Sequence, residues 1–330
     1  MAMNDVVVTI TQNKVVGSEG FGVPLVIQGK ADAEKKYTEC SKLDEVLDAG
    51  FGDDTEVYKQ CEKLFSQANR PKLVGVYAGT GKITESLRGI ESQSFRQIVP
   101  VFGTEDDTPK ELADYVEASD GKLLFLKVSS AEELAELGSL DRTIAIVYTG
   151  EDKGVEGAVV GATAGLAAGS FTYKNMIIKG ITPDNLTDGQ ISTIHKAHGI
   201  AIVKKAGDIV TSEGFVLSGE YADIIDSIDY VVNDMAYRCQ KLLNTVPKVP
   251  YDNVGISMLE GVTTTVLAEA YRMGIIAQNG DGTPAYSTDF APREDCSAGD
   301  RAARTYNEGR FSFDLAGAIH YAHINGVINV

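Results

Sequence analysis

The stretch KLVGVYAGTGKITESL, Lys72 to Leu87, sets a glycine loop between a strand pattern and a helix pattern, where backbone N–H groups commonly cradle a phosphate. A P-loop needs a glycine five residues before its Gly-Lys pair and a Ser or Thr after it. Here the pair Gly81-Lys82 has Val76 at that distance and Ile83 following. Read as a dinucleotide loop, Gly79-Thr80-Gly81-Lys82-Ile83-Thr84 supplies two glycines and puts Thr84 where the third should allow close helix–strand packing. The later apolar runs are followed by Lys127 and Thr149 rather than by a metal-holding acid. The structural reading of AGTGK is therefore a tight strand-to-helix turn in which glycines supply positive φ.

Other residue types offer less. The four histidines form two pairs, His195/His198 and His320/His323. The first precedes Gly199 and reads as a helix C-terminus, and the second falls in a strand pattern that sends its members to opposite faces. Neither supplies the third ligand that a metal requires. Cys40, Cys61, Cys239 and Cys296 are scattered without a C-x-x-C pair and read as reduced thiols. No G-x-S-x-G elbow is present. Arg293, Glu294, Asp295, Asp300, Arg301, Arg304 and Arg310 mix both signs in a polar loop, the pattern of a solvated or interface network more than of an anion clamp. Asn185-Leu-Thr fits a glycosylation acceptor, which carries no weight without a secretory signal.

Those residues must be held by elements, and the 330-residue chain is long enough for about two domains. Its 47 acidic and 30 basic residues give a net charge of −17, which repels nucleic-acid backbones. The opening MAMNDVVVTITQNK lacks a basic-then-apolar pattern, and the longest mostly apolar stretch, Gly157 to Gly169, is shorter than the ~20 residues of a membrane span. The expectation is synthesis in the cytoplasm, no membrane insertion and no direct nucleic-acid partner.

Alternation puts Val6, Val8 and Ile10 on one face of a first strand, followed by the glycine-rich joint GSEGFG with Gly17, Gly20 and Gly22 and a second strand over Val23 to Gln28. Ser41 with Asp44 reads as the cap of a helix to about Ala49, and Asp53 or Asp54 as the start of another. Strand patterns near 73–78, 97–102, 122–128 and 143–149 alternate with helical ones, which predicts a largely parallel sheet covered on both faces. Gly157, Gly161, Gly165 and Gly169 recur at four-residue spacing and predict a helix packed closely on a sheet or a neighbouring subunit. Helices are predicted over Tyr221 to Asn244, with Asp223, Asp226, Asp229 and Asp234 mostly solvated, and over Val254 to Gly274. Ile324, Ile328 and Val330 share one face of a last strand. The fold class is α/β: a largely parallel sheet domain with flanking helices, an α+β C-terminal domain and extended β-strand arms at both termini. A terminal strand without a hairpin partner completes its own sheet or adds to a neighbour's.

The order of segments resembles the contractile tail sheath proteins of bacteriophages and phage-derived R-type bacteriocins. The resemblance lies in SEGFGVPLVI, TEVYKQCEKLFSQANRPKLVGVYA, GAVVGATAGLAAGSFTYKNMIIKGI, SEGFVLSGEYADIIDSIDYVVNDM and LAGAIHYAHINGVINV, and it spans nearly the whole chain. One departure is Tyr173, an aromatic in a chain that lacks Trp. Another is a compact length with little room for inserted surface domains.

The resemblance implies a structural subunit, not an enzyme and without a cofactor, that polymerises as stacked six-fold rings around an inner tail tube and contracts to drive the tube through a cell envelope. It implies an N-terminal arm and hinge over 1–20, an α/β sheath domain over 21–175, a tube-facing C-terminal domain over 176–315 and a strand arm over 316–330. Val6, Val8, Ile10, Ile324, Ile328 and Val330 would form the inter-subunit strands, with Gly17, Gly20 and Gly22 as the hinge. The expected partners are further copies of the chain, the tail tube protein, and the baseplate and tail terminator proteins. The expected location is the tail of a virion or phage-tail-like particle assembled in the bacterial host cytoplasm. The alternative is a nucleotide- or phosphate-ligand-binding enzyme using the Gly79–Lys82 loop.

Overall fold

The computed structural model describes residues 22–119 and 121–324. Val6, Val8, Ile10, Gly17, Gly20, Ile328 and Val330 lie outside them, so the expected strands of both arms fall almost wholly beyond the described chain.

The elements run β1 (Val23–Gln28), β2 (Lys35–Cys40), α1 (Leu43–Asp48), α2 (Glu56–Phe65), β3 (Val74–Ala78), α3 (Ile83–Gly89), β4 (Phe95–Val101), α4 (Pro109–Glu117), β5 (Leu123–Val128), α5 (Ala131–Leu137), β6 (Thr143–Val147) and α6 (Val155–Thr163). They continue with α7 (Asp188–Lys196), β7 (Ile200–Lys205), β8 (Asp208–Thr211), α8 (Ala222–Thr245), α9 (Asn253–Arg272), β9 (Tyr286–Phe290), α10 (Ala298–Ala303) and β10 (Gly309–Phe313). An eight-stranded sheet is ordered β2-β3-β1-β4-β5-β6-β7-β8. Its inner pairs are parallel, and β2 and β8 are antiparallel edge strands. The sheet runs past residue 175 and takes in β7 and β8.

Alternation along each strand divides the core between the two faces of the sheet. Val26, Val76, Phe125 and Ile146 pack under α1, α2 and α6, whereas Leu25, Ile27, Leu124 and Ala145 pack under α3, α4, α5 and α7. Strands buried on both sides must be apolar throughout, which is why β3 and β6 are fully buried. Gly22, at the start of β1, has φ +95° and lies so close to β4 that a β-carbon there would stand 2.6 Å from the Phe95 carbonyl carbon.

The glycine-rich helix is shorter than its pattern predicts, and while it packs on the sheet as expected, its glycines face a second helix. α6 ends at Thr163, so Gly165 and Gly169 lie beyond it, Gly169 with φ +76°. The glycines meet α2 and the chain following it. A β-carbon at Gly154 would lie 2.7 Å from the Lys59 carbonyl oxygen, and those at Gly157, Gly161 and Gly165 would clash with the carbonyls of Gln60, Leu64 and Asn69. The glycine seam joins two helices of one subunit on the face of the sheet that both cover. Helix starts differ as well: Thr55 caps α2 in place of Asp53 or Asp54, and the Ser41 hydroxyl bonds Glu45 while Lys42 occupies the cap position of α1.

The C-terminal part has its own core, in which Tyr230 and Val231 of α8 meet Val266, Leu267 and Ala270 of α9 together with Ile275, Ile276 and Ala285. The two-stranded antiparallel sheet β9–β10 lies beside α9. Residues 314–324 then run as an irregular strap, tied by the Ile276–Leu315 bridge and by Ala316 N–H to the Ile275 carbonyl at 2.9 Å. The strap carries no strand beyond that bridge, so the strand pattern read through His320 and His323 is not realised within the described residues.

Candidate functional site

The AGTGK turn is built to satisfy itself. Gly79 donates to the Gln28 carbonyl at 2.9 Å and accepts from Ala31 N–H at 2.9 Å, which ties the loop to the end of β1. The N–H groups that a phosphate would use at the start of α3 are already occupied. Ile83 N–H donates to Asp106 Oδ1 at 2.9 Å and Thr84 N–H to Asp107 Oδ2 at 2.8 Å. Lys82 Nζ lies 3.5 Å from Asp107 Oδ1. Two carboxylates of the chain thus occupy the anion position, and a phosphate would have to displace both against their charge.

A second polar constellation joins the helical hairpin to the sheet. Arg96 of β4 is almost completely buried; its Nε donates to Asp226 Oδ1 at 3.0 Å and its Nη1 to Asp229 Oδ2 at 2.8 Å and to the Gly121 carbonyl at 2.7 Å. Arg142, just before β6, also grips Asp229, and the Tyr173 hydroxyl donates to Asp226 Oδ2 at 2.6 Å. Burial, then the adjacent Asp226 charge, pushes the Tyr173 phenol far above its ordinary value, so it stays a donor. The expectation of solvated aspartates is overturned for Asp226 and Asp234, which are 4% and 2% exposed. Asp234 is held by Arg238, which also reaches Glu269 of α9. The period of α8 carries no sign of the Arg96 pairing, because that partner of Asp226 and Asp229 is more than a hundred residues away in β4.

A third constellation anchors the strap. Lys174 Nζ and Glu213 Oε1 form a buried pair at 2.6 Å, their side chains 4% and 1% exposed. Tyr321 hydrogen-bonds the same carboxylate oxygen and lays its ring under Lys174 Nζ, 3.5 Å from the centroid. The side chain of His320 is 7% exposed, its Nε2 2.9 Å from Thr172 Oγ1 and its ring edge-on to Tyr221 at 4.5 Å. The strap roofs a cleft of about 250 Å³ bordered by Gly169, Thr172, Asp223, Ser227 and Gly317. Between and beyond these anchors its apolar side chains are bare: Ile319 is 89% and Ile324 92% exposed. The strand pattern in the sequence separates His320 from His323 and gives no role to Glu213. The available signal was Ser212-Glu213-Gly214-Phe215, a charged residue in a tetrapeptide that occurs again at 18–21.

The remaining candidates stay local. His195 bonds the Ser212 hydroxyl at 2.9 Å, and His198, at φ +58° just past α7, bonds the Leu217 carbonyl. Arg293 and Arg301 serve backbone carbonyls of residues 251, 293 and 296. No group of three His, Cys, Asp or Glu residues could hold a metal among the described residues, and no helix of theirs is long and apolar enough to cross a membrane.

No protein-family model matches the sequence, and no curated protein matches it significantly. Solved structures do. A chain of the six-fold-symmetrised baseplate of the anti-feeding prophage superposes with a TM-score of 0.73 at 13% identity, covering 100% of both chains. A chain of the contracted sheath complex of the PVC extracellular contractile injection system superposes with a TM-score of 0.73 at 12% identity, covering 100% of this chain and 99% of that one. A sheath tail protein from Listeria innocua gives 0.61 at 13% identity over 83% and 91%. The fold is that of contractile tail sheath proteins.

Proposed function

We propose that the protein is the structural subunit of a contractile tail sheath, polymerising as stacked rings around an inner tube and contracting to drive that tube through a cell envelope. The observation that carries this reading is full-length likeness to a chain of a contractile sheath complex. The self-satisfied AGTGK turn supports a non-enzymatic role over a phosphate-ligand enzyme. In this reading residues 1–20 form an arm and hinge, 21–175 the sheath domain, 176–315 the tube-facing domain and 316–330 a strand arm. Val6, Val8 and Ile10 of one subunit pair with the Ile324–Val330 end of another, with Gly17, Gly20 and Gly22 at the joint. The partners are the tube, baseplate and tail terminator proteins, and the location is a virion or phage-tail-like particle assembled in a bacterial cytoplasm.

Contraction driven by exchanging one set of subunit contacts for a better-matched one needs only a few kcal/mol per subunit, summed over the array, and no nucleotide. Negative-stain electron microscopy over a concentration series tests the reading. Regular hollow cylinders are expected from the full chain, and dispersed folded monomers from a chain lacking residues 1–16. Normal cylinders from the truncated chain would refute the arm assignment.

A further inference from the structure

The strap is anchored by a chain of hydrogen bonds that stops one proton short. Thr172 Oγ1 donates to Asp223 Oδ1 at 3.2 Å, which leaves the hydroxyl oxygen to accept from His320 Nε2 at 2.9 Å. The ring hydrogen of neutral His320 is thereby assigned to Nε2, and Nδ1 is a bare lone pair. Nδ1 faces Glu213 Oε2 across 4.0 Å, and neither atom has a hydrogen-bond partner among the described residues. Two buried acceptors oppose each other, an arrangement that costs free energy as it stands and gains a charge-assisted bond when a proton is added between them.

We propose that His320 is a proton-operated latch for the C-terminal strap. Uptake of one solvent proton at Nδ1 makes an N–H donor, draws the ring onto Glu213 Oε2 and holds residues 316–324 down; loss of that proton loosens them. Charged and phenolic groups face the ring from several elements. The carboxylates of Asp223 and Glu213 flank it from the start of α8 and from the segment after β8. The Lys174 ammonium engages the other oxygen of Glu213, as does the Tyr321 hydroxyl, and the Tyr221 ring stands edge-on to the imidazole. His195 and Lys205 lie farther out around Glu213. The latch rests on contacts within one chain. Its consequence for assembly, that looser straps are offered to neighbouring subunits at higher pH, rests on the sheath reading.

The test is amide hydrogen exchange of peptides covering 314–324 in the full-length protein, at about pH 5.5 and about pH 8, on either side of the ordinary histidine value. Wild type is compared with His320→Gln at each pH, so that the pH dependence of exchange itself cancels. Exchange in wild type slower by on the order of tenfold at the lower pH, with the two proteins alike at the higher, is the expected result. His195→Gln should behave as wild type. An equal ratio at both pH values, or loss of the effect in His195→Gln instead, overturns the proposal. Should His320→Gln fail to fold, ¹⁵N imidazole shifts of the wild type decide: Nδ1 of His320 carries a proton at the lower pH if the latch exists and stays bare if it does not. Failure to form polymers at any pH would count against the sheath reading and leave these readouts unaffected.

Discussion

At the residue scale, the most consequential side chain is Arg96, whose guanidinium serves two aspartates of α8 in a dry interior. Removing one partner of such a cluster leaves uncompensated charge, so Arg96→Ala is expected to destabilise the fold by about 3–5 kcal/mol, read from urea midpoints. Tyr173→Phe removes one donor to the same cluster and should cost about 1–3 kcal/mol. The sequence hid this site for a physical reason: helical periodicity reports which face of α8 is apolar, and a buried aspartate paired across 130 residues looks like a solvated one. The pH response belongs to this scale too. Burial, the largest influence, lowers the His195 imidazole, so the folded protein favours its neutral form. That contribution is complete above the ordinary value of 6.5 and is lost as pH falls below it. Burial alone would raise the Glu213 carboxyl, but hydrogen bonds from Lys174 and Tyr321 outweigh it and hold the carboxyl below 4.5, so its contribution disappears at still lower pH. Urea midpoints measured between pH 7 and pH 5, a window about the ordinary histidine value, should therefore fall more steeply for wild type than for His195→Gln.

At the scale of elements, the seam between α2 and α6 is the least tolerant contact. Gly161→Val would push a branched side chain into the Leu64 carbonyl, and backbone cannot rotate away as a side chain can. The expected cost is about 1–3 kcal/mol, with α6 displaced from α2, measurable by thermal melting and by loss of exchange protection in both helices. Strands β1, β3, β5 and β6 were legible because burial on both faces demands largely apolar runs. The glycine spacing was legible too, but spacing alone does not name the partner or the end of the helix. Thr163 closes α6 because the chain then turns, and the same four-residue rhythm continues through Gly165 and Gly169 in a non-helical path. Caps were read one or two residues early, since Asp53, Asp54 and Thr55 are all competent caps and local geometry selects Thr55.

At the scale of the whole molecule, the parallel sheet and its helices are legible in the alternation of patterns, and the order of segments carries the resemblance to sheath proteins. The coupling between halves could not be read in this way. The sheet reaches Thr211, the hairpin α8–α9 has its own core, and the two are joined through β4, β6 and residue 173. Loss of the Arg96 cluster should thus separate unfolding into two steps, the hairpin melting before the sheet, where wild type is expected to show one transition by both near- and far-ultraviolet dichroism.

The Arg96 cluster also has a mechanical meaning. Ionic hydrogen bonds of 2.8 to 3.0 Å tolerate little stretch before they fail, and here several act in parallel between one helix and the middle of a sheet. A pull applied to the hairpin is passed to the sheet almost without extension, as through a strut rather than a spring. If the protein works as the sheath subunit proposed above, work delivered by one subunit passes to the next through a body that yields little.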